Sequence, residues 1–261
     1  MDKDLKNIII ESGNNLHLEV AEFLQKQGWS VDLSVYYCDD ITDKPREIDI
    51  IAKLDIPIYE DESNPYFSIY LFIECKYLKS DFAFRMYPND IINSKSSIIT
   101  TGYDIDSNKI FNEFNHHYLK TEKMAKLHES NGRIQADIFE AIIRPVKSML
   151  FFKKRNVNAI YYPLAIYKGI PKFYIIDEKF HTIKNSDKKD KYLSNLVNTQ
   201  EVIYGLKYSY YPDRDPQKAS ITNNFCVDFI HQKKLGDFLK IIMEEAKPIK
   251  NELHQSFKDR K

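Results

Sequence analysis

Glycine is scarce, with 7 in 261 residues. Loops that cradle phosphates need glycines at fixed spacing, and no P-loop is present. An activity driven by nucleoside triphosphates would therefore have to come from a partner. Cysteine is scarcer still. Cys38, Cys75 and Cys226 are odd in number and none stand in C-x-x-C spacing, which excludes a disulfide framework and points to free thiols in a reducing compartment. The seven scattered histidines add no zinc spacing. Net charge is absent, with 38 basic and 38 acidic residues. Whole-chain charge thus gives no sign of nucleic-acid binding, although a local basic groove is sufficient for it. No apolar run approaches the length of a membrane helix, and the run in "MDKDLKNIIIESGNN" is far too short for a signal peptide. The expectation is a soluble, cytoplasmic protein with no membrane partner.

Hydrophobic residues, by contrast, make up 43%, with 18 tyrosines and 16 phenylalanines. That is the composition of a folded chain, long enough for one elaborated domain or two small ones. "SGNNLHLEVAEFLQKQGW" predicts a helix through the spacing of Leu16, Val20, Phe23 and Leu24, with Asn14 or Asn15 as cap and Gly28 as stop. "WSVDLSVYY", "REIDIIAKL" and "PYFSIYLFIECKY" predict three strands. The polar tip "YEDESNP" makes the last two a hairpin. From Leu78 to about His128 the pattern is lost, and an insertion with helical pieces is expected. "RIQADIFEAIIRPVKSMLFF" predicts a helix with Pro145 placed to kink it. "NAIYYPLAIYKGIPKFYIID" predicts two strands around Gly169. "QEVIYGLKYSYY" and "NNFCVDFIHQ" predict further strands. "KKLGDFLKIIMEEAK" predicts a last helix, and the tail "NELHQSFKDRK" is expected to fray. The order implies an α/β sandwich around a mixed sheet.

The chemistry concentrates in "REID" and "LFIECKY". Side chains alternate across a strand, so Glu74 and Lys76 share one face while Ile73 and Cys75 take the other. If the two strands pair, Asp49 joins Glu74 and Lys76. Two facing carboxylates repel unless a proton or a cation lies between them. A hard divalent ion such as Mg2+, or Mn2+, suits two carboxylates, with the Cys75 carbonyl as a further oxygen ligand. Such an ion acidifies water and neutralises phosphodiester charge. Lys76 would orient the water or stabilise the transition state. The bland alternative is a cross-strand salt-bridge cluster.

"EID" and "ECK", separated by a hairpin and preceded by a helix, resemble the PD-(D/E)xK nuclease superfamily. The chain is similar more closely to uncharacterised bacterial restriction-endonuclease-like proteins, through "SGNNLHLEVAEFLQKQGW", "SVYY", "REIDIIA", "DIFEAIIRPVKS", "YPLAIYKG" and "FCVDFIHQKKL". The resemblance implies a restriction-endonuclease-like αβββαβ core with a mixed central sheet flanked by helices. It implies one elaborated domain over 1–261. The core would cover about 12–77 and 130–178, the insertion 78–129, and a C-terminal α/β extension 179–261. It also implies a Mg2+- or Mn2+-dependent nuclease, a hydrolase of phosphodiester bonds, with DNA as the expected substrate and RNA left open. Asp49, Glu74 and Lys76 take the catalytic positions. The alternatives are a nucleic-acid-binding module impaired in cleavage, or an effector subunit of a bacterial defence system switched on by a partner protein. A homodimer would suit double-strand cutting.

One position departs from the pattern. The superfamily's first-helix acid stands about eleven residues before the glycine, where this chain has His17. Glu19 lies about 200° further around the helix. Either His17 replaces the acid as ligand or substrate contact, or a small shift brings Glu19 in. Gln135 is a candidate accessory residue, by analogy with a polar residue near the metal water in some related nucleases. Of Tyr36 and Tyr37, one should be core and the other face the cleft, which makes Tyr37 a further accessory candidate. Lys153, Lys154 and Arg155 are candidate phosphate contacts.

Overall fold

In the computed structural model, residues 5, 8–9, 12–59, 66–102, 116–153, 158–170, 172–176, 197–211 and 219–259 are described. The first helix, α1 (Gly13–Lys26), starts where the Ser12 hydroxyl accepts from the Asn15 N–H. Ser12, not Asn14 or Asn15, is the cap, because its side chain lies one residue before the first turn and reaches an orphan donor. Gly28, at φ +86°, turns the chain out of the helix. Leu16, Val20 and Leu24 form the buried stripe.

Three strands follow: β1 (Ser30–Cys38), β2 (Pro45–Pro57) and β3 (Tyr66–Tyr77). They pair antiparallel in sequence order. The segment assigned to an insertion does not stand apart from the sheet. Among the described residues it supplies two strands, β4 (Ala83–Pro88) and β5 (Lys123–Glu129), and two helices, α2 (Ile91–Gly102) and α3 (His117–Lys120). The register of β4 on β5 jumps between Arg85 and Met86, so β5 carries an extra residue. That extra residue, Lys126, has no partner on β4, and Lys126 and Leu127 are both exposed, which breaks the alternation that would have announced the strand.

A long helix, α4 (Gly132–Phe152), runs through Pro145. Then come β6 (Ala159–Lys168), β7 (Phe173–Ile176), β8 (Val197–Thr199), β9 (Glu201–Tyr210) and β10 (Ile221–His231). A 3-10 turn (Gln232–Lys234) leads into α5 (Leu235–Lys258). The tail is part of this helix. Ile249 and Leu253 are buried in helical spacing, which holds the last turns down.

Among the described residues, the ten strands form one mixed sheet in the order β1-β2-β3-β6-β10-β9-β5-β4-β7-β8. β3 runs parallel to β6, and β6 parallel to β10. Alternation divides the core between the two faces. Leu71, Ile73 and Cys75 pack with Leu16 and Val20 of α1 and with Ile242 and Ile249 of α5. Phe72, Tyr161 and Tyr167 pack with Ile138, Ile142 and Val146 of α4. The molecule is therefore a mixed α/β fold, with a ten-stranded sheet flanked by helices.

Candidate active site

The site forms where the sheet opens. β2 and β3 pair up to Ile50 opposite Ile73, and there their ladder ends. Beyond that point β2 continues against β1 as far as Pro45, and β3 continues against β6 as far as Tyr77. Asp49 and Glu74, the next residues on each side, stand at this parting. The Asp49 carboxylate reaches into it, and its Oδ2 accepts the Cys75 backbone N–H at 2.7 Å. In an extended strand the N–H and C=O of one residue project toward the same neighbour. The Cys75 carbonyl thus faces the same opening, while its thiol is buried in the opposite face.

Glu74 is 1% exposed. Its Oε1 accepts from Lys76 Nζ at 2.9 Å and from Arg144 Nη1 at 2.9 Å. Its Oε2 is buried and has no hydrogen-bond partner. Arg144 comes from α4 and was not anticipated from the sequence. Its second guanidinium nitrogen reaches Glu140 Oε2 at 2.8 Å, and Lys76 Nζ lies 3.5 Å from the same oxygen.

Burial pushes the Glu74 carboxyl up to about 7, and the neighbouring Asp49 charge adds to the rise. Burial also raises Asp49, against the pull of the Cys75 N–H, His17 and Lys76. At Lys76 burial works the other way but is outweighed by attraction to Glu74, so the ammonium stays above its ordinary value. The ion pair therefore favours charge at Lys76 while burial still disfavours it at Glu74. Two raised carboxylates, one with an unpartnered buried oxygen, make a site short of positive charge. Asp49 Oδ1, Glu74 Oε2 and the Cys75 carbonyl are three oxygen donors of the kind a hard divalent ion takes.

The two first-helix candidates separate. His17 Nδ1 lies 3.8 Å from Asp49 Oδ1, so the histidine stands at the site. Glu19 is elsewhere. Both its oxygens bond Lys168 Nζ at 2.7 Å, and it also accepts from Gln232 and Asn15. Those bonds outweigh its partial burial and hold its carboxyl below the ordinary range. Glu19 thus clasps α1 to the end of β6 and to the turn before α5.

Tyr37 is the core residue of its pair, 2% exposed, and Tyr36 is the exposed one. The Tyr37 hydroxyl is buried without a partner and lies within the electrostatic reach of Arg144 and Glu74. Gln135 is exposed near the start of α4, and its backbone carbonyl faces His128 Nε2 at 3.1 Å. Arg144 is nine residues on, about 13 Å along the helix. Lys153 lies over the Tyr161 ring at 5.9 Å. Lys154 and Arg155 fall outside the described residues.

One sequence signal pointed to the missed helix residues. Glu140, Arg144 and Lys147 are spaced i, i+4, i+7 among apolar neighbours, which puts three charges on one face of α4. Lys147 bonds Asp39 Oδ2 at 2.6 Å, and Asp39 also accepts from the Ile41 and Thr42 N–H groups. Although burial opposes it, the Lys147 bond helps hold Asp39 down to about 2.

A second polar group lies on the opposite face. His116, His117 and Glu245 bring three potential ligand atoms within 4.8 Å. The hydrogen bonds there already use those atoms. His117 Nδ1 faces Glu245 at 2.8 Å and Nε2 faces Asp228 at 3.0 Å. The His116 Nδ1 accepts the Tyr118 N–H at 3.2 Å, so the ring's proton belongs on Nε2, where a ligand would need a lone pair. Tyr118 and Tyr162 donate to Asp228 and Glu245. Despite burial, the two carboxylates push His117 up to about 10, so an imidazolium closes the network.

No protein-family model, no curated protein and no solved structure matches this chain.

Proposed function

We propose that the protein is a divalent-metal-dependent nuclease that hydrolyses phosphodiester bonds, with DNA as substrate. The observation that carries the proposal is the meeting of Asp49, Glu74 and Lys76 at the parting of β2 and β3, with one Glu74 oxygen buried and unpartnered. The order helix, three strands, helix, strand, read from α1, β1–β3, α4 and β6 with β4 to β5 intervening between β3 and α4, supports the resemblance to the PD-(D/E)xK superfamily and its αβββαβ core. A plain salt-bridge cluster explains Lys76 on Glu74. It does not explain a second raised carboxylate beside them.

Asp49, Glu74 and the Cys75 carbonyl would hold Mg2+ or Mn2+, with the His17 ring beside Asp49. The bound ion supplies an acidified water and charge neutralisation at the phosphodiester. Asp49 is fixed for this role by the Cys75 N–H, which uses one carboxylate oxygen and leaves the other directed toward His17. Lys76 holds its ammonium charged between Glu74 and Glu140, where it orients a water and offsets negative charge that develops on phosphate. Burial of Glu74 keeps bulk water from competing for its oxygens.

The test is cleavage by the purified protein of plasmid, linear, single-stranded and RNA substrates with Mg2+ or Mn2+. Metal-dependent cutting is expected, and it should fall at least about 100-fold in Asp49→Ala and in Lys76→Ala. Cutting that survives both substitutions rejects the assignment. Metal-independent binding with no cutting under any condition would instead identify a binding module.

A further inference from the structure

We propose that Arg144 is an exchange residue. It holds Glu74 while no divalent ion is bound, gives the carboxylate up when an ion arrives, and then takes the phosphate of the nucleic-acid substrate. The inference rests on the nuclease reading.

Three observations support it. First, Arg144 and Lys76 crowd the same oxygen of Glu74, at 2.9 Å each, while the other oxygen has no partner. An ion drawn to the free oxygen brings a third positive charge against the two cations on its neighbour, and the repulsion is relieved by whichever of them can swing away. Lys76 is anchored on the same strand as Glu74, two residues away. Arg144 reaches in from α4 with a long side chain that is 27% exposed.

Second, Arg144 has a ready anchor. Its guanidinium forks between buried Glu74 and half-exposed Glu140, with 2.9 and 2.8 Å contacts. Release of Glu74 leaves the Glu140 contact in place, since the two residues are one turn apart on the same helix. The nitrogen set free is part of a planar fork that suits phosphate oxygens as well as carboxylate oxygens. Lys147, one turn further on, is already engaged by Asp39.

Third, the charges close. Counted with all three carboxylates ionised, as an ion would require, Asp49, Glu74 and Glu140 carry three negative charges, and Lys76 and Arg144 carry two positive ones. A divalent ion turns the balance from −1 to +1, and one phosphodiester returns it to zero. The arrangement therefore favours ion and substrate together over ion alone.

The experiment measures binding, apart from cutting. Mn2+ affinity is measured by calorimetry without nucleic acid. Affinity for a labelled oligonucleotide is measured by anisotropy with Ca2+ across a salt series. Arg144→Met removes the competitor for Glu74. Mn2+ should then bind about 10-fold tighter, and the oligonucleotide about 10-fold weaker with a salt slope reduced by about one. A merely structural arginine would not tighten the ion. Arg144→Lys keeps the charge without the fork. It should leave Mn2+ affinity near wild type and weaken the oligonucleotide several-fold. Unchanged or weaker Mn2+ binding in Arg144→Met overturns the inference, as does wild-type oligonucleotide affinity in either variant. Should Arg144→Met not fold, the Arg144→Lys oligonucleotide result decides alone. Wild-type protein that takes up neither Mn2+ nor oligonucleotide overturns the nuclease reading together with this inference.

Discussion

Asp49 Oδ2 accepts the backbone N–H of Cys75 at 2.7 Å, across the point where β2 and β3 cease to pair. The carboxylate replaces a missing ladder bond and so is held in the plane of the sheet, within reach of α1 on one side and α4 on the other. Asparagine keeps this bond through its amide oxygen but carries no charge. Asp49→Asn should melt within about 1 kcal/mol of wild type. It should lose the thermal stabilisation expected from millimolar Mn2+ in the wild-type protein. Paired melts with Mn2+ and with chelator check this, and a variant still stabilised by Mn2+ rules Asp49 out as a ligand.

His17 and Glu19 should respond differently to alanine. His17 faces Asp49, and Glu19 is tied to Lys168 and Gln232. His17→Ala is expected to weaken Mn2+ binding several-fold with little effect on unfolding. Glu19→Ala is expected to cost about 1 kcal/mol, modest because the carboxylate is about one-third exposed, and to leave ion affinity unchanged. Calorimetry and urea unfolding on both variants separate the roles.

The His117 network predicts a pH dependence. His117 is raised to about 10 in the folded chain from an ordinary 6.5. Its contribution to stability is therefore complete below about pH 6.5 and is lost as pH rises through about 10. His116, lowered to about 3 mainly by burial, stays neutral across this window. His117→Gln leaves Asp228 and Glu245 buried without their cation, at a cost of about 3–5 kcal/mol near neutral pH. The gap between wild type and variant should narrow between pH 8 and pH 10.5, as read from urea midpoints. A constant gap would show that the ring is not charged.

Gly169 predicts a steric failure. It sits at φ +108°, and a Cβ there would lie 2.1 Å from the Leu78 carbonyl oxygen. The close approach goes with the bond from the Leu78 N–H to the Lys168 carbonyl, which ties the end of β3 to the end of β6. Gly169→Ala should cost about 3 kcal/mol or more and loosen the strand end that carries Lys76. Chemical denaturation measures the first effect, and a drop in the proposed cleavage activity at a temperature where the variant stays folded measures the second.

Much of the candidate site was legible in the sequence. Strand alternation is local, and it sorted Leu71, Ile73 and Cys75 from Glu74 and Lys76 without tertiary information. A short connection made the β2–β3 pairing, and with it the approach of Asp49, a reasonable inference. The middle of the chain was less legible. The bulge in β5 disrupted the period on which strand reading depends. The closing helix was legible in its first half, and only its last turns were hidden by polar residues, although Leu253 and Phe257 kept the spacing.

Local pattern was enough to assign faces in the regular elements, such as β3 and α1, because inward-turning side chains there follow periods of two and of 3.6 residues. Which residues meet across long separations came from the packing of the elements. It chose His17 over Glu19 at Asp49, because α1 packs with one side of its polar surface over the strand opening and the other toward Lys168. It placed Arg144 on Glu74, 70 residues away, because β6 lies parallel beside β3 and α4 is the crossover that joins their face of the sheet. Such meetings depend on how elements stack, and no local pattern encodes them.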